Sequence, residues 1–452
     1  MIIFVNPMWS VQTINSDSNY VFLSSVITKF NEKYPEYSFL MPFPASKGFR
    51  YYDDGFFKLP NILRIPQNIP QGKKQNNIHF DTFFIKKIYD TYGPYLIWNQ
   101  IPELAPQLKY FMANFHMVPT VVNQHHYILH ESLPYPLEPN LHFVFMQLCG
   151  DYCADVNLFN SDHCWNMTLD NIREYLPNLE KKVSEKRKVL KFGFFDKNYK
   201  YKNTKKYEKF TFIFNHRFQD YKNWRTTFEI FDQLYAEKYD FNVLVTKAGG
   251  DRINIINEKP YVMIKDLPTK QLYLDEIPKC HANTFNSQHE TFCISILESM
   301  FYGLSTIVPN RTTMPELLGK DNWQLFNSEN EQKEKLIHLI KNKDVNEQYG
   351  KQNQERAKTF NVDDYVDKLH ELFQSLIRKT VFTGMKDHNK QGFLKVINNR
   401  KELELEDVEK MIRDCGLSKT QSMPMFKANL ALYELGYRQK FNKNKAFWLK
   451  MK

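Results

Sequence analysis

Two series of short, β-rich apolar runs, each interleaved with helical patterns, constrain this 452-residue chain more than any other feature. In the first series the runs fall at residues 2–5, 37–40, 95–99, 120–124 and 156–160, with helices near 19–34 and 103–115. A further strand at 190–194 leads into a Lys/Tyr-rich linker at 197–209. The pattern then starts again, with strands at 211–214, 242–246, 261–264, 281–285 and 305–308. Helices are expected near 223–237, 268–277, 290–302, 330–343 and 363–378 in this second series. Short strands alternating with helices predict parallel sheets covered on both faces. The expected fold class is α/β: two Rossmann-like domains, 1–195 and 196–379, facing a cleft, with a small third unit at 380–452. Ligands of such sheets sit beyond the carboxyl ends of the strands, so the first residues after each strand are the candidates for chemistry.

Length and composition agree with a globular chain of two or three domains. No apolar run approaches the roughly 18 residues that a membrane span requires. The opening MIIFV is too short for a signal-peptide core and reads as a buried strand. The six cysteines are scattered, which suits a reducing compartment, and a cytoplasmic location is expected. Cys149, Cys153, His163 and Cys164 match no common zinc spacing, so no metal site is expected.

The net charge of +10 is unevenly spread: residues 380–452 carry +7 of it. A basic tail points to a polyanionic partner, nucleic acid before membrane. Its helix at 405–415 stops at Gly416, and Pro424 opens a second helix that Gly436 stops. YRQKF, NKNK and AFWLK then read as a hairpin. This order resembles a winged helix, which implies double-stranded DNA facing Lys419, Thr420, Gln421 and Lys427, with Lys440, Lys443 and Lys445 on the wing. The alternative is a small helical docking unit. In the first domain, KGFRYYDDGFFK and QGKK (within 47–74) interleave cations with aromatics, placing Arg50, Lys73 and Lys74 where they could follow phosphates.

Three segments carry candidate chemistry. HETFCISILESMFYGLSTIVPN (289–310) sets Glu290 and Glu298 eight residues apart, close to two helical turns and so on roughly one face. NHRFQDYKNW (215–224) puts Arg217 and Lys222 just past a strand and before a helix, where cations and a helix N-terminus neutralise a diphosphate. TVVNQ runs into His125 and His126 at the end of a central strand.

Together these residues resemble retaining glycosyltransferases of the GT-B fold, whose E-x7-E and R-x-x-x-x-K-G signatures match Glu290/Glu298 and Arg217/Lys222. VVNQHH is also similar to the matching stretch of bacteriophage DNA α-glucosyltransferases. The resemblance covers about residues 1–378. It implies a UDP-sugar donor, UDP-glucose first, with no obligatory metal. It also implies that Glu290 and His125 line the sugar site, with His126 second, facing the acceptor. Glu298 would hold the ribose, and the amides around Thr291, Phe292 and Cys293 would approach the diphosphate. Three departures stand out: Asn223 replaces the usual Gly, ETFC replaces EGFG, and the turn after the first strand has no Gly. The expected activity is transfer of glucose to a hydroxymethylated pyrimidine in DNA. Two alternatives stay open: a glycan, lipid-linked or protein acceptor, or a non-catalytic DNA-binding protein on the same scaffold.

Overall fold

The computed structural model describes residues 1–8, 14–44, 51, 53–67, 82–113, 118–127, 141–195, 204–246, 256–267, 270–384, 400–414, 425, 428–429, 432–433, 435–442 and 445–450. The first sheet has seven parallel strands in the order β3-β2-β1-β4-β5-β6-β7. They are β1 (Ile2–Asn6), β2 (Ser38–Pro44), β3 (Ile62–Gln67), β4 (Leu96–Asn99), β5 (Val121–Gln124), β6 (Val156–Phe159) and β7 (Arg187–Val189). Helices α1 (Ser18–Lys33), α2 (Thr82–Tyr92), α3 (Ala105–Ala113), α4 (Leu141–Cys153), α5 (Asp162–Tyr175) and α6 (Glu180–Glu185) accompany them. The second sheet has six parallel strands in the order β10-β9-β8-β11-β12-β13. These are β8 (Phe210–Phe214), β9 (Phe241–Thr246), β10 (Val262–Lys265), β11 (Ala282–Thr284), β12 (Ser305–Pro309) and β13 (Leu325–Phe326). Its helices are α7 (Trp224–Ala236), α8 (Lys270–Glu276), α9 (Ile294–Phe301), α10 (Met314–Leu318), α11 (Glu329–Lys341) and α12 (Lys343–Ala357). The central strands β1, β4, β5, β6, β8, β11 and β12 are buried along their whole length, as parallel strands covered on both faces must be.

Four strands of the first sheet each carry an asparagine, and register lines these up. Asn6 donates to Asn99 at 2.7 Å, Asn99 to Asn123 at 2.9 Å, and Asn123 to Asn157 at 3.1 Å. All four are buried. This amide ladder lies directly beneath the cleft and satisfies polar groups that burial would otherwise penalise. Asn123→Leu takes one of two hydrogen bonds from the Nδ2 of Asn99, which keeps Ile101 O, and leaves the Oδ1 of Asn157 without its donor, and is expected to cost roughly 1–3 kcal/mol. Urea denaturation checks this; an unchanged midpoint would mean that the ladder bears no strain of desolvation.

Several expectations shift. The 47–74 stretch, where cations and aromatics interleave, contains β3, an edge strand, and its Pro66 is tolerated because an edge strand need not donate to a further neighbour. The strand expected at 190–194 lies earlier, at β7, in register with Asn157–Phe159. Helix α13 (Val362–Gly384) follows the second sheet in sequence but packs on the first. Its Tyr365 hydroxyl donates to Gln124 at 2.9 Å, His370 stacks on Tyr34 at 3.9 Å, and Phe373 packs near Phe30 and Trp98.

The last unit has a separate small core around Trp448, Tyr437, Leu403 and Met411. Its strands β14 (Glu402–Glu404), β15 (Tyr437–Asn442) and β16 (Lys445–Lys450) form an antiparallel sheet in the order β14-β16-β15. Helix α14 (Leu405–Asp414) follows β14, and β15 and β16 pair as the expected hairpin. Asn429 docks this unit on the first domain. Its amide donates to Tyr92 O, Gly93 O and Gln439 Oε1, it accepts from Trp448 Nε1, and its carbonyl accepts from Tyr95. Residues 92–95 precede β4, so the unit sits at the end of the sheet opposite the cleft.

Candidate active site

The second sheet changes direction between β8 and β11, and the loops after these two strands hold the candidate residues. The two loops are stitched together: Gln288 N donates to Tyr221 O at 2.8 Å, and Ser287 Oγ to the same carbonyl at 3.3 Å. Arg311, after β12, adds hydrogen bonds to the carbonyls of Ser287 and Asn286 at 3.1 Å each. On this frame Lys222 and Glu290 form a buried ion pair. Burial pulls the Lys222 ammonium down, but Glu290, with Tyr221 and Cys293, more than offsets this and leaves it above the ordinary lysine value. Arg217 is exposed at the same loop, with Nη2 3.4 Å from the Tyr221 hydroxyl.

Of the residues that replace glycine, Asn223 and Cys293 take the left-handed backbone that glycine favours. Asn223 caps α7 at φ 47°, and Cys293 caps α9 at φ 63°. Asparagine tolerates the left-handed region well; for cysteine it costs on the order of 1 kcal/mol. Both positions are thus left-handed without a glycine. The Cys293 thiol is pushed up to about 12 by burial and then by Glu290, so it is no nucleophile at neutral pH. The ring of Phe292 turns away, into Phe192, Phe194 and Phe360; only its backbone can face a ligand.

Glu298 lies on α9, buried, and both its oxygens are engaged: Oε1 by Lys270, Oε2 by the Tyr273 hydroxyl at 2.8 Å. Behind Tyr273, Asn215 donates to its hydroxyl at 2.8 Å and accepts from Asn283 at 2.9 Å. His216 stacks on Phe285 and places Nδ1 3.1 Å from Ser295 Oγ; burial, then Lys222, holds its pKa well below the usual range.

The first domain reaches this site through the loop after β5. Thr291 Oγ1 donates to His126 O at 2.8 Å, and Ser161 Oγ donates to Thr291 O at 2.6 Å. Glu316 of α10 accepts from the amides of Asp162 and His163, capping α5 from across the cleft.

The two histidines exchange the places expected of them. His125 is fully buried, stacked on Phe159 with Nε2 2.8 Å from Asp151, so it supports the core and does not face the cleft. His126 is the one beside the donor loop, with Nε2 2.7 Å from Gln100 Oε1 and 2.8 Å from Asn19 Nδ2. Burial, then His125, lowers its pKa to about 3, so it is neutral at physiological pH. Close by, Glu103 accepts from Tyr127 at 2.9 Å and from Gln147 at 3.2 Å, and burial raises its pKa to about 7. Glu103, Lys270, Tyr273, Asn215 and His216 are site neighbours without a sequence signature. Of the residues expected to meet nucleic acid, Lys440 lies on β15, half-buried, and Lys445 opens β16. Arg50, Lys73, Lys74, Lys419, Thr420, Gln421, Lys427 and Lys443 lie outside the described residues.

Comparison with known proteins gives this arrangement a context. Residues 195–356 match the family model described as glycosyl transferases group 1. A tRNA-queuosine alpha-mannosyltransferase of Drosophila melanogaster is 24% identical over 279 residues, which is 54% of this chain and 70% of that protein. Among solved structures, a sucrose-phosphate synthase from Thermosynechococcus elongatus superposes with a TM-score of 0.62 at 12% identity, covering 84% of this chain and 99% of its own. Anabaena HepE, solved in complex with UDP-glucose, gives 0.60 at 13% identity, covering 83% and 99%. The two-sheet architecture is that of the GT-B fold, residues 195–356 match the group 1 glycosyltransferase model within it, and the protein is a transferase.

Proposed function

We propose that the protein is a retaining enzyme that moves a sugar from a nucleotide-sugar, UDP-glucose first, to a hydroxyl on a nucleic-acid base. The observation that carries the donor side is the buried Lys222–Glu290 pair beside exposed Arg217, at the direction change of the second sheet. As the bond from sugar to diphosphate breaks, negative charge grows on the departing phosphate, and preplaced cations lower the barrier most where they need not reorganise. Glu290 holds Lys222 in place, and the α9 N-terminus adds its own partial positive charge. Glu298 accepts the ribose hydroxyls. HepE, bound to UDP-glucose, supports the same donor class here. The Lys222–Glu290 pair, with Arg217 on the same loop and Glu298 on α9, supports a catalytic reading over a non-catalytic scaffold.

The acceptor we favour is a hydroxymethylated pyrimidine in double-stranded DNA. The +7 tail and its β14-β16-β15 sheet, with α14 between β14 and the hairpin, support a winged-helix reading. That unit lies at the far end of the first sheet, so only a long acceptor could touch both it and the cleft. A modified nucleoside of tRNA is the second reading, favoured by the Drosophila relative. One experiment separates them: labelled UDP-glucose and labelled nucleotide-activated mannose, each offered duplexes with 5-hydroxymethylcytosine, unmodified duplexes and queuosine-containing tRNA. Label in the hydroxymethylated duplex alone supports the first reading. Label in tRNA alone replaces it with the second. UDP release without nucleic-acid label sends the search to glycan, lipid-linked or protein acceptors.

A further inference from the structure

Glu298 is anchored by a second element that no signature marks. Lys270 and Tyr273 sit one turn apart on α8, and the Lys270 ammonium lies 4.6 Å over the Tyr273 ring. Each gives one hydrogen bond to a different oxygen of the Glu298 carboxylate. A carboxylate oxygen accepts two hydrogen bonds, so each keeps one acceptor position. Two such positions on adjacent oxygens fit two neighbouring hydroxyl donors. The Glu298 side chain is only 6% exposed, whereas that of Lys270 is 40% exposed, so the pair grades from the interior to the cleft. Behind it, Tyr273 accepts from Asn215, the residue that opens the 215–224 loop carrying Arg217 and Lys222, and Asn215 also donates to Ser295 O in α9. Asn283 closes the chain by donating to Asn215 and to Ser299 of α9.

Resting on the reading of Glu298 as the ribose ligand, we propose that Lys270 and Tyr273 are positioning residues that aim its carboxylate at the paired ribose hydroxyls, and so set the enzyme's preference for ribonucleotide over deoxynucleotide donors. Lys270 also supplies a countercharge beside the Glu298 carboxylate, which has to accept two hydroxyl protons. Through Tyr273 and Asn215, the ribose end of the donor site is tied to the loop at the diphosphate end.

The test uses the full chain and calorimetric titration with UDP and with 2′,3′-dideoxy-UDP, on wild type, Tyr273→Phe, Lys270→Met, Lys270→Arg and Glu298→Ala. Tyr273→Phe and Lys270→Met are expected to weaken UDP about 10- to 150-fold, the scale of one hydrogen bond to a charged group, while dideoxy-UDP binds as to wild type. Lys270→Arg restores UDP binding, and donor KM follows the same order. Equal weakening of both nucleotides would reduce the two residues to structural supports and overturn the inference. An unchanged UDP-to-dideoxy ratio in Tyr273→Phe and Lys270→Met, with the ratio lost in Glu298→Ala, would overturn the inference alone. A ratio that survives Glu298→Ala would remove the ribose reading itself.

Discussion

Lys222→Met is expected to lower turnover by three orders of magnitude or more and to cost about 3–5 kcal/mol of stability, the usual penalty for leaving a buried charge without its partner. Both effects come from one contact. Lys222 is nearly enclosed, and its ammonium lies on the Glu290 carboxylate and 5.1 Å from the centre of the Tyr221 ring. Methionine fills most of the volume but leaves Glu290 charged in a poorly solvated place. The double variant Lys222→Met/Glu290→Gln removes both charges and should regain most of the stability, since neutral, space-filling replacements of a buried pair often cost little. It should not regain turnover, because the cation that meets the departing diphosphate is still missing. Thermal denaturation and steady-state UDP release on the two variants separate the terms. A single variant as stable as wild type would mean that the pair is not formed in solution.

Arg217→Ala presents the opposite profile. The side chain is exposed, with one long hydrogen bond to the Tyr221 hydroxyl, so the melting temperature should stay at the wild-type value. Turnover should fall about 100- to 1,000-fold, the usual loss when one preplaced donor to a developing anion is removed. Arg217→Lys should recover part of it, since lysine keeps the charge but loses the two-pronged geometry. Wild-type turnover in Arg217→Ala would take Arg217 out of the site. The contrast matters: both residues belong to one sequence motif, yet one is predicted to act without bearing on stability and the other to do both.

Much of this was legible in the chain because parallel strands announce themselves. IIFV, TVVN, TFIF and STIV are apolar on both faces and fall where β1, β5, β8 and β12 lie. β3 was hidden because Arg64 and Pro66 interrupt its apolar run, which only an edge strand allows. Helix α12, KDVNEQYGKQNQERA, has almost no apolar stripe and is held by tertiary contacts instead. Among them, Asn353 donates to Leu304 O, and Gly350 packs so close to Gly303 O that a Cβ would lie 2.2 Å from it.

The placement of Arg217, Lys222, Glu290 and Glu298 after β8 and β11 was readable, because spacing on a strand–loop–helix unit fixes where such side chains emerge. The histidine pair was not, because adjacent residues at a strand end point to opposite sides, and only packing decides which one is swallowed. Here Asp151 and Phe159 take His125 inward and leave His126 at the cleft. Lys270 and Tyr273 reach Glu298, and Asn215 reaches Tyr273, from two separate segments. No single-segment pattern could have shown that. The small C-terminal sheet was half visible: the hairpin stood out, while β14 is only three residues long and alternates charged with apolar.

The most direct test of the account is a crystal structure of the protein with UDP bound. The account predicts the ribose hydroxyls on Glu298, and the diphosphate between Arg217 and Lys222 at the start of α9, with Lys270 and Tyr273 still on the carboxylate. UDP bound elsewhere, or bound in the cleft with Glu298 and Lys222 untouched, would contradict it.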